Sequence, residues 1–452
     1  MMPAWYRYLP GVLRRRLEGR SYLRRVIDNT GWVLAERVLR YTIGFLVGVW
    51  IARYVGPSDY GLLNYAAAFV GVLTFMSTLG LDSLAVRDMV QNPGASGEIL
   101  GTLLLMRLAG GVLLIIGAVA GLMILQPGDS RAPTLVLLVS LAQLLQAFDS
   151  IDCWFQSIMS SRSTVFAKAA ALLSMSAVRV VLILAQAPLV AFAWAILAES
   201  TLLALAMLAA YRLSGQRLTS LRTALARAKQ LVTGGWPLML SAAVVAVYSR
   251  IDQVMLGQMA GFPEVGAYAV AVRIVEVSYV VPAVIVSSIF PAMIQSLELG
   301  RDVFEARIQK LYDLMLWMGV AVALPLSILA PLIVHTVAGD AYAAASPPLA
   351  LLAWMPVWVF LGLARQKWLL AENALKAAMA IEIAACVLNV LGNLVLIPRH
   401  GATGAAMASL LAAAGATVLV APFSRPIRRS LTMFLVATQA PLRIVRRERP
   451  QR

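Results

Sequence analysis

The sequence predicts an all-α protein that crosses a lipid bilayer many times. Of its 452 residues, 60% are hydrophobic and only 13% are charged, where a soluble chain carries roughly a quarter. The mean hydropathy is +0.80. The apolar residues also fall into runs of about 20, the length that spans the hydrocarbon of a membrane, with turn residues between them.

Measured against that length, the chain holds about twelve candidate spans. They cover 29–52, 61–81, 99–125, 133–153, 164–186, 188–211, 234–258, 265–294, 311–337, 347–370, 376–397 and 402–424. Turn sequences separate many of them, among them Gly56-Pro57-Ser58-Asp59, Gln126-Pro127-Gly128-Asp129, Ser346-Pro347-Pro348 and Arg399-His400-Gly401. The run from Ser163 to Ala210 is too long for one span and divides at Ala187-Pro188.

Basic residues set the orientation, because short cytoplasmic connections retain Lys and Arg. Arg212, Arg217, Arg222, Arg227 and Lys229 fall in one connection, and Arg301, Arg307 and Lys310 in another. Arg365, Lys367 and Lys376 mark a third, and eight arginines from Arg425 to Arg452 mark the tail. The opposite connections hold only Arg53, Arg131 and Arg399. An even number of spans then puts both termini in the cytoplasm.

The expected organisation is a basic segment at 1–28, a six-helix lobe at 29–211, a basic linker at 212–233, a second six-helix lobe at 234–424 and a basic tail at 425–452. The first apolar run is too long for a signal-peptide core and lacks a small-x-small exit, so it reads as a retained anchor. Residues 11–27 alternate leucines with arginines. They suit an interfacial helix on anionic headgroups or a simple positive-inside anchor. After residue 424, Leu431–Ala440 is too short to span and reads as an interfacial helix.

An internal repeat supports the two-lobe division. Val55-Gly56-Pro57-Ser58-Asp59-Tyr60-Gly61 resembles Ala260-Gly261-Phe262-Pro263-Glu264-Val265-Gly266 at an offset of 205. Because each half holds an even number of spans, the repeats are parallel, related by an axis along the membrane normal.

The net charge of +16 does not indicate a nucleic-acid partner, since the basic residues crowd the ends and alternate connections. Cys153 and Cys386 form no disulfide framework. With only His335 and His400 besides, no metal site is expected.

Ionisable groups inside spans are costly and by default face a bundle interior or a wet cavity. Glu36, Arg37 and Arg40 lie eight to twelve residues past Asp28, roughly 12–18 Å along a helix. Arg250 and Asp252 lie in the seventh span, and Arg273 and Glu276 at similar depth in the eighth. Arg107, Asp149, Asp152, Arg179, Glu199 and Glu382 complete the set. Two readings stand at this level. The charges form packing pairs, with Glu36–Arg40 and Asp252–Arg273 the best candidates. Alternatively, Arg37, Arg40, Arg250 and Arg273 line a central cavity for a pyrophosphate, whose oxygens match the planar guanidinium fork. Glu36, Asp252 and Glu276 would then balance charge or bind a coupling ion, H⁺ or Na⁺.

Four stretches carry a family resemblance. Asn29…Trp32…Ile51-Ala52-Arg53-Tyr54-Val55-Gly56-Pro57-Ser58-Asp59-Tyr60-Gly61 resembles the first helix pair of Wzx-type polysaccharide exporters. Leu79-Gly80-Leu81…Arg87 resembles the next block. Asp252-Gln253-Val254-Met255-Leu256-Gly257 with Val265-Gly266-Ala267-Tyr268 is similar to the start of their second half. Pro398-Arg399-His400-Gly401-Ala402-Thr403-Gly404-Ala405-Ala406 is similar to their last hairpin. These exporters belong to the multidrug/oligosaccharidyl-lipid/polysaccharide exporter superfamily. The resemblance implies two six-helix lobes in a MATE-like V. It also implies flipping of undecaprenyl-pyrophosphate-linked oligosaccharides from cytoplasm to periplasm by alternating access. Its implied partners are that lipid-linked substrate, membrane lipids, and the glycosyltransferases and polymerase of polysaccharide biosynthesis. It implies no enzymatic activity and no cofactor.

Two other classes compete. A multidrug or cation antiporter of the same superfamily would want acids, aromatics and methionines in its cavity. A polysaccharide polymerase or ligase would display a long outer loop with reactive groups, whereas every outer connection here is short and no Ser/His/Asp or Cys/His constellation exists. A scaffold would not need so many charges at mid-membrane.

Overall fold

The computed structural model describes residues 21–125, 131–298, 300–440 and 443. The basic stretch before residue 21, the turn at 126–129 and the arginine-rich end beyond residue 443 lie outside them. The described residues are helices joined by turns and short 3₁₀ segments, with no strand among them.

Helix α1 spans Ser21–Val72 and is broken inside by Gly56, at φ 78° and ψ 171°. That region excludes most side chains and suits glycine. Pro57 follows, with its fixed φ suited to begin the next helical turn. After α2 (Phe75–Thr78) and α3 (Asp82–Gln91) come the long apolar α4 (Ser96–Leu125), α5 (Ala132–Leu145) and α6 (Ile151–Ser157). Helices α7 (Arg162–Leu184) and α8 (Leu189–Leu213) are divided at the expected Ala187-Pro188. Next are α9 (Leu225–Tyr248), α10 (Ile251–Met259) and α11 (Phe262–Glu276). Gly261 precedes α11 at φ 90° and ψ 170°, nearly the backbone of Gly56 at the equivalent place in the repeat. The remainder is α12 (Val280–Glu298), α13 (Arg301–Ile328), α14 (Ala330–Ala338), α15 (Ser346–Leu352), α16 (Met355–Ala371), α17 (Leu375–Val420) and α18 (Arg425–Thr438).

Among the described residues nine helices are long and apolar enough to cross a membrane, or ten if the pair Asp340–Leu352 and Met355–Ala371, bent by 42°, is one span. The sequence expectation was about twelve. The difference has a source in the backbone. Two of the nine, Gly31–Val72 and Leu375–Phe423, contain 42 and 49 residues, roughly 60–75 Å of helix against about 30 Å of hydrocarbon. Each is interrupted by a non-helical glycine, Gly56 in one and Gly401 in the other. Leu113, Ile116, Ile124, Leu205 and Leu411 are each more than half exposed, as expected where lipid is the solvent.

The chain divides into two compact units. One is drawn from Met1–Gly44, Thr74–Gly117 and Leu137–Met239, the other from Phe45–Leu73, Ala118–Val136 and Leu240–Arg452. The first unit packs Leu81, Leu100, Leu103, Trp154, Phe155 and Tyr211 into one core. Part of the stretch expected as a linker lies against α4. The Ala224 N–H donates to Thr102 Oγ1 at 3.1 Å, and Gly97 and Gly101 leave room for the backbone at Ser220 and Arg222.

The second unit has its core around Phe304, Tyr312, Phe360 and Trp368. Helix α18 covers one side of it through Ile427, Ser430, Met433 and Ala437, a single buried face. Its contacts with α13 advance in step. Arg429 pairs with Glu305 at 2.6 Å, Gln309 donates to the Met433 carbonyl at 3.0 Å, and the Trp317 indole donates to the Ala437 carbonyl at 3.1 Å. The two helices therefore run parallel. Trp368 donates to the Pro426 carbonyl at 3.0 Å. The ten-residue interfacial helix expected at Leu431–Ala440 is thus a 14-residue helix bolted along α13.

Candidate functional site

The second unit places Asp252 in a buried polar cluster. Helix α9 stops at Tyr248, and α10 restarts at Ile251 after Arg250 leaves helical geometry at φ −135°. Asp252 therefore sits in the first turn of a new helix. Its Oδ2 accepts from Tyr268 Oη and from Ser409 Oγ, both at 2.7 Å, and its Oδ1 accepts from Asn393 Nδ2 at 3.2 Å. Asn393 also donates to Asn389 Oδ1 at 3.1 Å, and Asn389 donates to Ser409 at 3.2 Å. Asn389 and Asn393 are fully buried and stand four apart on one face of α17. Asn393 Oδ1 is buried with no hydrogen-bond partner.

A cavity of about 210 Å³ adjoins this cluster, with Asp252, Glu276, Tyr248, Tyr268, Tyr279 and Ser409 in its wall. Asp252 and Glu276, singled out from the sequence, are thus brought to one space. The Asp252–Arg273 pair is not formed. Asp252 fills both oxygens with hydroxyl and amide donors, and Arg273 turns elsewhere. Its Nη1 donates to Tyr60 Oη at 2.7 Å. Its guanidinium occupies the space a side chain at Gly48 would take. Arg250 is exposed, and its aliphatic stem lies against Gly71.

In the first unit, Glu36 and Arg40 make the expected pair across one helical turn, with Arg40 Nε 2.7 Å from Glu36 Oε1. Glu36 is buried, while Arg37 and Arg40 are exposed. Five other charges read as intramembrane, Arg107, Asp149, Asp152, Arg179 and Glu199, resolve into ion pairs. Arg107 binds Asp82, Arg179 binds Glu199 at 2.5 Å, and Lys168 lies 3.1 Å from Asp149 and 2.9 Å from Asp152.

Several polar residues of the second unit were not singled out in the sequence. Asn389, Asn393, Ser409 and Tyr268 all touch the Asp252 cluster. The signal available for two of them was the i,i+4 amide pair inside an apolar run. The basic-residue pattern assigns Arg365 to a cytoplasmic connection. The structure places it within α16, where it donates to Thr417 Oγ1.

The family model of the polysaccharide biosynthesis proteins matches residues 26–297. No curated protein matches the sequence. Among solved structures, the lipid II flippase MurJ in an inward closed conformation is similar over 94% of this chain and 94% of its own, at 12% identity and a TM-score of 0.67. An inward-facing multidrug resistance MATE family transporter of the MOP superfamily is similar over 92% of this chain and 96% of its own, at 14% identity and a TM-score of 0.67. A MOP superfamily transporter from Pyrococcus furiosus, described as having a binding pocket of reversed polarity, matches 92% of this chain and 95% of its own at 12% identity and a TM-score of 0.55. At these identities the likeness is one of fold.

Proposed function

The chain belongs to the polysaccharide biosynthesis protein family, within the multidrug/oligosaccharidyl-lipid/polysaccharide exporter superfamily, and from that premise we propose that this multi-pass membrane transporter flips undecaprenyl-pyrophosphate-linked oligosaccharides. The movement is from the cytoplasmic to the periplasmic leaflet of a bacterial inner membrane, by alternating access. Glycosyltransferases supply the substrate and a polymerase consumes the product. Both termini are cytoplasmic, so reporter fusions at Arg217 and Arg443 read cytoplasmic and one at Gly128 periplasmic.

The observation that carries this reading is the state of Arg273. It is a guanidinium within a span, held by a neutral phenol, with no acid within ion-pair distance among the described residues. A charge at the bilayer centre costs at least about 2.5–3.5 kcal/mol. An arginine left without a carboxylate is matched by an anionic ligand, and a pyrophosphate offers oxygens for the guanidinium fork. Arg37, Arg40 and Arg250 are the other proposed headgroup contacts. Of these only Arg40 has an acid partner among the described residues, Glu36. That carboxylate is placed to reclaim Arg40 when the headgroup leaves.

Asp252 and Glu276 are the proposed coupling groups for H⁺ or Na⁺. The Asp252 carboxylate and the orphaned Asn393 Oδ1 are oxygen donors of the kind hard cations take. The same acidic, tyrosine-lined cavity favours a second reading, a cation or drug antiporter.

The test is complementation of a strain lacking its exporter, with the variant's level checked in the membrane fraction. Arg37→Ala and Arg273→Ala are expected to abolish surface glycan, and Lys at either site to restore part of it. Full glycan from both Ala variants would overturn the headgroup assignment. Drug resistance conferred by the wild type and lost in Asp252→Asn would favour the antiporter.

A further inference from the structure

Arg365 and Glu382 face one cavity in the second unit without forming an ion pair. The cavity holds about 210 Å³ and is walled by both charges together with Trp358, Tyr248, Met355 and Val245. A single water needs only about 10–15 Å³ of such space. Arg365 donates to Thr417 Oγ1, and Glu382 Oε2 accepts from Ser241 Oγ at 2.9 Å. Among the described residues neither has an opposite charge within 4.0 Å. A second cavity of about 40 Å³ also meets Arg365 and Trp358, and adds Thr417, Ser430 and Phe434. The guanidinium thus stands at the junction of two spaces.

The two charges also share a depth. Arg365 lies six residues before Ala371, the last residue of α16, and Glu382 lies seven after Leu375, the first of α17. Both are therefore about 9–10 Å from the short connection between these helices. Basic residues assign that connection to the cytoplasm. The distance corresponds to the boundary between the polar zone and the hydrocarbon of the inner leaflet, because the polar regions add roughly 5–8 Å to each side of an approximately 30 Å core.

A simple anion entering this space would meet the Glu382 carboxylate, and a simple cation would meet Arg365. A ligand with both charges satisfies both groups. We propose that this cavity binds the headgroup of a zwitterionic phospholipid bearing a primary amine. Its phosphate lies on Arg365 and Thr417, and its ammonium lies on Glu382 beside the rings of Trp358 and Tyr248. Guanidinium–phosphate and ammonium–carboxylate contacts are charge-assisted hydrogen bonds, and the aromatic faces add cation–π attraction. The assignment goes beyond the flipping of lipid-linked glycans and does not depend on which glycan is carried.

The test uses the full chain, purified and delipidated in detergent. It is mixed with phosphatidylethanolamine, phosphatidylcholine or phosphatidylglycerol, and bound lipid is read by native mass spectrometry. The wild type is expected to retain phosphatidylethanolamine over phosphatidylglycerol by about tenfold or more, as suits a site that pairs both charges, with phosphatidylcholine between them. Arg365→Ala is expected to lose both phosphatidylethanolamine and phosphatidylglycerol. The isosteric Glu382→Gln, which keeps the bond to Ser241, is expected to bring the two lipids to near parity. Equal retention of the two by the wild type would overturn the proposal. So would unchanged phosphatidylethanolamine retention by Arg365→Ala, or by Glu382→Gln with its lipid preference intact. Displacement of the lipid by an equal concentration of free phosphoethanolamine would overturn the assignment to a membrane lipid.

Discussion

Gly61 and Gly266 make the two halves of one reciprocal contact. A side chain on Gly61 would strike the Phe262 carbonyl, and one on Gly266 would strike the Pro57 carbonyl. Phe262 is Pro57 plus 205, and Gly266 is Gly61 plus 205. The repeat seen in the sequence is therefore also a self-complementary packing surface, of the kind a two-fold axis generates between identical patches. Leu at either glycine is expected to destabilise the protein by roughly 1–3 kcal/mol, the usual range for overpacking. The double variant is expected to lose less than the sum, because both changes open the same contact. Thermal unfolding in detergent measures this, and single variants that melt like the wild type would show the contact to be dispensable.

Gly48 is expected to behave as an extension of Arg273. Gly48→Val expels the guanidinium from its slot and is expected to reduce glycan export about tenfold to a hundredfold, the scale of misplacing a binding group. Gly44, one turn earlier, has nothing within 4 Å of where its side chain would stand. Gly44→Val in the same complementation assay is therefore the control, and equal losses from both would show that helix α1 tolerates no bulk.

Asp252 holds three donors at once. Asp252→Leu is expected to cost roughly 1–3 kcal/mol for each buried donor left without an acceptor. Ser409 and Asn393 keep second acceptors at Ala405 O and Asn389 Oδ1, and Tyr268 keeps only the longer contact to Ser409 Oγ at 3.2 Å in place of a bond of 2.7 Å, so the larger loss falls on Tyr268. A companion change of Tyr268 to Phe is expected to recover part of the melting temperature. No recovery would mean that the cluster is held by something other than this bond.

How much of this was legible follows the physics of each signal. The spans were legible because a run of apolar residues as long as a bilayer is thick finds a favourable solvent only in lipid. The break at Ala187-Pro188 was legible because proline ends helices. The Glu36–Arg40 pair followed from spacing alone. Asn389 and Asn393 were hidden because two amides barely lower the average of a long apolar run. Pairing Asp252 with Arg273 failed because opposite charge at similar depth says nothing about rotation around the helix axis. The basic-residue pattern assigns Arg365 to a loop because counting arginines near span ends does not distinguish a solvated one from one turned inward.

Arg107 and Asp82 are expected to respond unequally. Arg107 is 5% exposed and Asp82 is 55% exposed. Asp82→Ala strands a buried guanidinium and is expected to cost roughly 2–4 kcal/mol, the buried-pair range reduced for the exposure of Asp82. Arg107→Met leaves an acid that water can reach and is expected to cost less. Chemical denaturation of the two variants compares them, and a larger loss from Arg107→Met would reverse the argument.

On helix α18 burial is expected to outweigh charge. Ile427 is fully buried, so Ile427→Asp is expected to cost more than about 2 kcal/mol. Arg429→Ala, which removes an exposed pair with Glu305, is expected to cost less than about 1 kcal/mol. Limited proteolysis after Ser424 reports the release of the helix in each variant.

The bonds that fasten α18 run mostly to its peptide carbonyls. Trp368, Gln309 and Trp317 donate to the backbone at Pro426, Met433 and Ala437, and a carbonyl is the same whichever residue carries it. The receiving side is thus fixed in identity while the received segment is free to drift, provided it keeps a helix and a slim apolar stripe. Related chains are then expected to preserve the two indoles and the glutamine while their terminal helices diverge, and a foreign amphipathic helix spliced in at this register would be accepted as a replacement part.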